Sequence, residues 1–474
     1  MVIEQIYTGC LAQGAYYIES NGEVAIIDPL REVQDYIDSA AKNNAKIKYI
    51  FETHFHADFV SGHVTLAEKT GAKIVFGPTA KTNFETIIAE DHQVFKVGEI
   101  TITVLHTPGH TMESTCFLLK DKYGKDHALF SGDTLFLGDV GRPDLAQKGA
   151  LTENDLAGFL YESLRNKVMP LANDVLVYPT HGAGSACGKN LSRETVGTIG
   201  HQKETNYALR ANMTKAEFIN EVTNGLLPPP AYFPLNVKLN KEGYKSSDEV
   251  LQNSKKPLSV KDFELLANET EAIILDVRHQ TEFIKGFIPQ SIFIGIDGGF
   301  APWVGALIKD ISQPILLVTS AGKEADTITR LSRVGFDNVL GYLEGSFDAW
   351  KEAGKEIDTL ISVTANVLET KIKEADNKLS SCLVFDVRKP GEYASEHLKI
   401  AANTPLDFLN DHLSEFPKDE DFYIHCGGGY RSVIAASILK ARGFHNLIDV
   451  AGGYAAIKKT TSERTEAVCP STLK

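Results

Sequence analysis

Apolar runs of strand length recur along the first 200 or so residues, separated by polar, helix-like stretches. AIIDP at 25–29, KYIFETH at 48–54, HALFSGDTL at 127–135 and DVLVYPTHG at 174–182 each end on a polar cluster. ITITVLHTPGH at 100–110 alternates like a half-buried strand and stops at Pro108-Gly109. The pattern predicts strands with a His or Asp just beyond each end, where a rigid element fixes loop side chains. LLPPPAYFPLN at 226–236 cannot continue a helix or a central strand, so it predicts an interdomain connection. EAGKEIDTL, around 352–360, predicts a second one.

Beyond the proline run the chain repeats itself. ILDVRHQTEF at 274–283 matches VFDVRKPGEY at 384–393, an offset of 110. LSRVGFDNV at 331–339 matches LKARGFHNL at 439–447, an offset of 108, and LEGSFDAW at 343–350 matches VAGGYAAI at 450–457. Near-constant spacing over three blocks predicts a tandem duplication. Each copy alternates strand and helix, which favours a small parallel α/β fold. The domains expected are 1–245, 246–358 and 359–474.

Composition narrows the function. The chain has 474 residues, about three domains' worth, with 43% hydrophobic and 23% charged positions. The net charge is -14, from 62 acidic and 48 basic side chains, which argues against a nucleic-acid partner. An anionic substrate must then be gathered by local positive groups or a metal. Cys10, Cys116, Cys187, Cys382, Cys426 and Cys469 are too scattered for a disulfide framework, so reduced cytosolic thiols are expected. The start, MVIEQIYTGC, has an acid at Glu4 and no basic region before an apolar stretch, unlike a signal peptide. No window approaches about 18 uninterrupted apolar residues, so no membrane span is expected.

Two constellations carry chemistry. The first is His54, His56 and Asp58 in THFHADF, His110 in HTPGHT, Asp133 in SGDTLF and His181 in YPTHG. Imidazoles and carboxylates delivered from four strand ends suit iron, zinc or manganese. This set resembles the metallo-β-lactamase fold over about 1–210, which implies an αββα sandwich. The usual first motif is HxHxDH, but Phe59 stands at its last position and cannot bind a metal. A second ion would need that His together with Asp58 and His181.

The closest resemblance is to persulfide dioxygenases, which implies one Fe(II) held by His54, His110 and Asp133. Two His and one carboxylate form the facial triad of non-haem iron oxygenases, with open positions for substrate and oxygen. His56, Asp58 and His181 are then either supporting residues that orient ligands and receive protons, or remnants of an ancestral second metal site. GDVGRPDL at 138–145 resembles the loop near that metal; Arg142 either orients an anionic substrate or pairs with Asp144. Cys187, in HGAGSACGKN, either carries sulfane sulfur beside the metal or is a small buried residue.

The second constellation is FYIHCGGGYRS at 422–432. A strand ends at Cys426, glycines follow, and a helix begins. Gly427, Gly428 and Gly429 let backbone N–H groups turn inward as an anion nest, and the helix N-terminus adds positive charge. Both stabilise a thiolate or persulfide anion, with Arg431 at the rim. This resembles the rhodanese active-site loop over about 360–460, although EHLKIAAN at 396–403 replaces a GHIPGA-like stretch. The preceding repeat reads VTSAGKEAD at 318–326, with Thr319 or Ser320 in the Cys place and a loop expected to be shorter. It resembles a catalytically silent rhodanese domain.

The expected fold is therefore multidomain α/β: a metallo-β-lactamase sandwich plus two rhodanese-like domains. The resemblance implies an Fe(II) persulfide dioxygenase with thiosulfate sulfurtransferase activity, serving sulfide detoxification in the cytoplasm. Its implied partners are glutathione or coenzyme A persulfide, O2, sulfite and thiosulfate, and other copies of the chain in a dimer or tetramer. The alternative is a zinc thioester hydrolase resembling glyoxalase II, fused to a sulfurtransferase.

Overall fold

The computed structural model describes residues 1–145, 151–189, 191–375 and 382–468; Cys469 lies outside them. The chain divides into two compact units, one of Met1–Val250 with Leu331–Gly335, the other of Leu251–Arg330 with Phe336–Lys474.

The first unit is built on two six-stranded sheets. β1 (Val2–Thr8), β2 (Gln13–Ser20), β3 (Glu23–Ile27), β4 (Lys46–Glu52), β5 (Lys73–Phe76) and β6 (Ile87–Ile88) form one in that order. β7 (Val94–Val97), β8 (Ile100–His106), β9 (Thr115–Lys120), β10 (Asp126–Gly132), β11 (Leu176–Pro179) and β12 (Gly197–Thr198) form the other, ordered β12-β11-β10-β9-β8-β7. Tyr16, Ile27, Phe51 and Val75 from the first sheet meet Ile102, Val104, Phe117 and Phe130 from the second in one core. The period-2 pattern of β8 divides its side chains: Ile102 and Val104 enter this layer, while Leu105 faces the opposite side. There α3 (Glu153–Ser163), α4 (Ile199–Thr205) and α5 (Lys215–Thr223) bury Leu160, Ile199 and Phe218. α1 (Gln34–Lys42) and α2 (His63–Thr70) cover the first sheet's outer face with Tyr36, Ala40 and Leu66. The layers are thus αββα. Each buried Leu or Phe contributes about 1.5–3 kcal/mol, so the outer helices are held by their apolar stripes.

The proline run departs from expectation. Residues 226–230 are irregular, but α6 (Phe233–Glu242) follows with Pro234 in its first turn, and the unit continues to Val250, inside α7 (Ser247–Ser254). The prolines turn the chain within the unit because a fixed φ suits a helix start as well as a linker.

The second unit holds two wholly parallel five-stranded sheets. β13 (Pro257–Leu258), β14 (Ile273–Asp276), β15 (Ile292–Phe293), β16 (Ile315–Val318) and β17 (Val339–Leu343) are ordered β13-β17-β16-β14-β15. β18 (Ser362–Val363), β19 (Leu383–Asp386), β20 (Ala401–Asn403), β21 (Phe422–His425) and β22 (Leu447–Val450) repeat that order as β18-β22-β21-β19-β20. The helices are α8 (Val260–Thr270), α9 (Gln280–Phe283), α10 (Phe300–Leu307), α11 (Glu324–Arg333), α12 (Ser346–Glu352), α13 (Ala365–Glu374), α14 (Pro390–Ser395), α15 (Tyr430–Ala441) and α16 (Gly453–Ile457).

The duplication reaches atomic detail. Arg278 grips Asp276 at 2.6 Å and donates to Gly286 O at 2.9 Å; Arg388 grips Asp386 at 2.6 Å and donates to Glu396 O at 2.9 Å. In each copy this charge-assisted clamp ties the turn after the strand to the turn after the next helix. Among the described residues no helix is long and apolar enough to cross a membrane.

Candidate metal centre and thiol loop

The turn after β4 carries His54, His56 and Asp58, and buried polar groups hold it. Asp28 accepts from Thr53 N, Thr53 Oγ1 and Thr180 Oγ1, each at 2.8 Å, so one carboxylate pins the turns that bear His54 and His181. From α6, Asn240 Nδ2 donates to His56 O and Phe59 O at 2.8 Å, while its Oδ1 accepts from Ser61 N at 2.8 Å. Tyr232 OH donates to Asp58 O at 3.3 Å.

The ligand atoms of His54, His110 and Asp133 lie within 4.8 Å of one another, all buried. His54 Nε2 is 3.8 Å and His110 Nε2 3.4 Å from Asp133 Oδ2. Neighbours fix both tautomers. His110 Nδ1–H donates to Arg142 O at 2.8 Å. Thr53 Oγ1 spends its proton on Asp28, so it accepts from His54 Nδ1–H at 2.9 Å. Both rings therefore turn an Nε2 lone pair toward Asp133, the orientation a metal ligand needs. Burial, then the nearby His56, His110 and His181, hold the His54 imidazole well below its ordinary range, so it stays neutral.

Both Asp133 oxygens, Asp58 Oδ1 and His181 Nε2 are buried without a hydrogen-bond partner. Orphaned carboxylate oxygens in a dry site require a cation, and a divalent ion fits this donor set.

The other candidates surround this group. His181 Nε2 is 3.6 Å from Asp133 Oδ1 and 3.4 Å from Asp58 Oδ2. Burial alone would lower its imidazole, but Asp133 and Asp58 outweigh burial and raise it to about 10. A proton there does part of the work a metal would do. His56 Nε2 lies 3.1 Å from Asp28 Oδ1 and 3.3 Å from Glu52 Oε2. Those carboxylates likewise overcome burial and raise it to about 10. Cys187 is buried, with Sγ in a group that includes Asp133 and His181. Burial, then Asp58 and Asp133, push its thiol well up, so in the metal-free chain it is protonated.

Arg142 follows the pairing expectation rather than the substrate one. Its guanidinium is buried and donates to Asp144 twice at 2.6 Å, to Ala186 O at 3.2 Å and to Leu227 O at 2.5 Å. Those donors leave little for a substrate, while its carbonyl orients His110. The sequence did not single out Asp28, Glu52, Tyr232 or Asn240. Only Asp28 had a signal, as the polar residue ending the AIIDP strand. A cavity of about 400 Å³ reaches His110, with Phe55, Met112 and Val237 on its walls and Lys81, Lys241 and Glu113 among its polar lining.

In the second unit, Cys426 follows the end of β21, the middle strand of its sheet, where the order of connections reverses. Such a switch point is where open α/β sheets place their sites. Gly429 N–H donates to Cys426 Sγ at 3.1 Å, and Ser432 Oγ lies 3.6 Å from the same sulfur. Arg431 is held as a fork on Glu392, at 2.5 and 2.8 Å. In the silent copy β16 ends at Val318, which puts Thr319 in the Cys place. Its loop is not shorter: four residues separate Thr319 from α11, against three between Cys426 and α15. The Glu324 carboxylate fills the loop, accepting from Gly322 N at 3.1 Å and Thr319 Oγ1 at 3.4 Å. A carboxylate thus sits in the silent copy's loop, where the other copy's loop turns a backbone N–H toward the Cys426 sulfur.

The metallo-beta-lactamase superfamily pattern matches residues 8–181, and the rhodanese-like domain pattern matches 259–353 and 364–460. A probable hydroxyacylglutathione hydrolase of Schizosaccharomyces pombe is 29% identical over 166 residues, 34% of this chain and 60% of its own. The cytoplasmic hydroxyacylglutathione hydrolase of Arabidopsis thaliana is 33% identical over 138 residues, 28% of this chain and 53% of its own. The chain thus spans less than two thirds of either relative. The crystal structure of a metallo-beta-lactamase from Staphylococcus aureus subsp. aureus COL is 30% identical, covers 72% of this chain and 98% of its own, and superposes with a TM-score of 0.63. With the αββα layers and the His/Asp group at the strand ends, this places the chain in the metallo-β-lactamase superfamily, carrying two rhodanese-like domains behind that fold.

Proposed function

We propose that the chain is an Fe(II) persulfide dioxygenase fused to a rhodanese sulfurtransferase, acting in sulfide detoxification. The observation that carries this reading is the ligand set: His54, His110 and Asp133 converge, while Phe59 stands where a second ion would need an imidazole. Two His and one carboxylate with open positions suit iron-dependent oxygen chemistry. Bound iron supplies the redox chemistry by which O2 oxidises a persulfide sulfur. The net conversion is RSSH + O2 + H2O to RSH, sulfite and two protons.

The chain's own groups do the rest. Thr53 Oγ1 and Arg142 O hold His54 and His110 in register. Asp58 and His181, 3.4 Å apart, can hold or release a proton beside Asp133. The apolar walls of the cavity exclude water, and Lys81 and Lys241 attract the carboxylates of a thiol such as glutathione against the overall charge of -14. In the rhodanese domain, sulfite attacks the outer sulfur of a Cys426 persulfide. The S–S bond breaks, its electron pair stays on Cys426, and thiosulfate leaves.

The second reading is a zinc thioester hydrolase, favoured by the names of the relatives above. Protein purified without oxygen separates the two. About one iron per chain and oxygen uptake with glutathione persulfide are expected. Zinc, thioester hydrolysis and no oxygen uptake would overturn the dioxygenase.

A further inference from the structure

The silent repeat has no nucleophile, yet it packs on the helix that carries one. Ser432 through Leu439 of α15 are buried on every side. A helix apolar all round must be covered on more than the face toward its own sheet, and the silent repeat provides that second cover. Tyr430, the first residue of α15, donates its hydroxyl to Gly295 O at 2.6 Å. Ser437 Oγ accepts Phe293 N–H at 2.9 Å, and Lys440 Nζ lies 5.7 Å over the Phe287 ring. Positions 430, 437 and 440 share one helical face.

The fit at Tyr430 is a socket. A Cβ on Gly298 would lie 2.3 Å from the ring's Cζ, and one on Gly295 would lie 3.2 Å from Cε2. Neither glycine has a positive φ, so space for the ring, rather than backbone freedom, explains them. At the repeat offset of 110 the active copy has Pro405 and Phe408, so the socket belongs to the silent copy alone.

We propose that the silent repeat is a positioning element for sulfur transfer: its Gly295–Gly298 socket fixes Tyr430, and Tyr430 fixes the turn that presents Cys426. Gly429, whose N–H reaches Cys426 Sγ at 3.1 Å, directly precedes Tyr430. That donor meets the charge that develops on sulfur when the S–S bond breaks, and a donor serves only if it is held in place beforehand. This rests on the reading of Cys426 as the sulfur carrier.

The test uses the full chain. Gly298→Ala, Tyr430→Ala, their double variant and Tyr430→Phe are assayed for transfer to sulfite, oxygen uptake and alkylation of Cys426 followed by peptide mass spectrometry. Tyr430→Phe loses one hydrogen bond and should lower kcat about two- to tenfold. KM for sulfite and oxygen uptake should stay put. Gly298→Ala should slow both transfer and Cys426 alkylation. The double variant should be no slower than Tyr430→Ala alone, since no ring remains to collide. Wild-type transfer in Tyr430→Phe and Gly298→Ala, or losses that simply add in the double variant, would overturn the proposal. Should Gly298→Ala fail to fold, Tyr430→Phe still decides. Cys426→Ser that retains transfer would instead remove the carrier assignment, while the alkylation rates would still report on positioning.

Discussion

On the proposed one-ion reading, Phe59 stands where a second ion would need an imidazole. Its ring is fully buried, 4.4 Å from the His56 ring. Phe59→His places an imidazole near Asp58 and His181, so metal content should rise from one toward two per chain by elemental analysis. Replacing this fully buried ring by an imidazole should cost about 1–3 kcal/mol, read as a lower Tm. Metal content unchanged at one would mean that the missing His is not what limits the site. His181 sets a pH dependence. Its imidazole is raised to about 10, so the metal-free chain holds a proton there at neutral pH. An ion on Asp133 competes with that proton, so affinity should tighten as pH rises from neutrality toward about 10, by up to about tenfold per pH unit for each proton released. A flat profile in a metal titration would contradict it. Thr319 and Cys426 stand at equivalent strand ends, but the Glu324 carboxylate fills the loop after Thr319, whereas Gly429 N–H points at the sulfur in the loop after Cys426.

At the scale of elements, β8 delivers His110 through a turn that α3 presses shut. Gly109 has φ +148°, and a Cβ there would lie 2.4 Å from Leu160 Cα. Ser163 Oγ on the same helix donates to Pro108 O at 2.8 Å. Gly109→Ala should therefore displace His110 and lose most bound metal, with a stability loss of about 1–3 kcal/mol. Metal content and melting temperature check this together; full metal with a normal Tm would show that the turn relaxes. The strand ends were legible because apolar runs and Pro-Gly breaks are local signals. The role of α6 was not legible. Three prolines look the same whether they lead out of a unit or into a helix, and only the contacts of Asn240 with the His56–Phe59 turn tell them apart.

At the scale of the molecule, two chemistries on one chain should be separable. His110→Ala removes a proposed metal ligand itself, so it should lower oxygen uptake beyond the about 10–100-fold that loss of a merely supporting group costs, and leave sulfur transfer intact. Cys426→Ser should do the reverse, with sulfite accumulating in place of thiosulfate in product analysis. Thiosulfate formation that survives Cys426→Ser would mean another carrier. The elements, the duplication and the candidate ligands were legible before folding, because periodicity, breakers and motif spacing are properties of the chain. Tertiary structure decided what each group faces. It turned Arg142 onto Asp144, His56 toward Asp28 and Glu52, Glu324 into the silent loop and Tyr430 into its glycine socket. These are contacts between residues far apart in sequence or alternatives equal in local pattern, and burial and directional hydrogen bonding select among them only once the chain is folded.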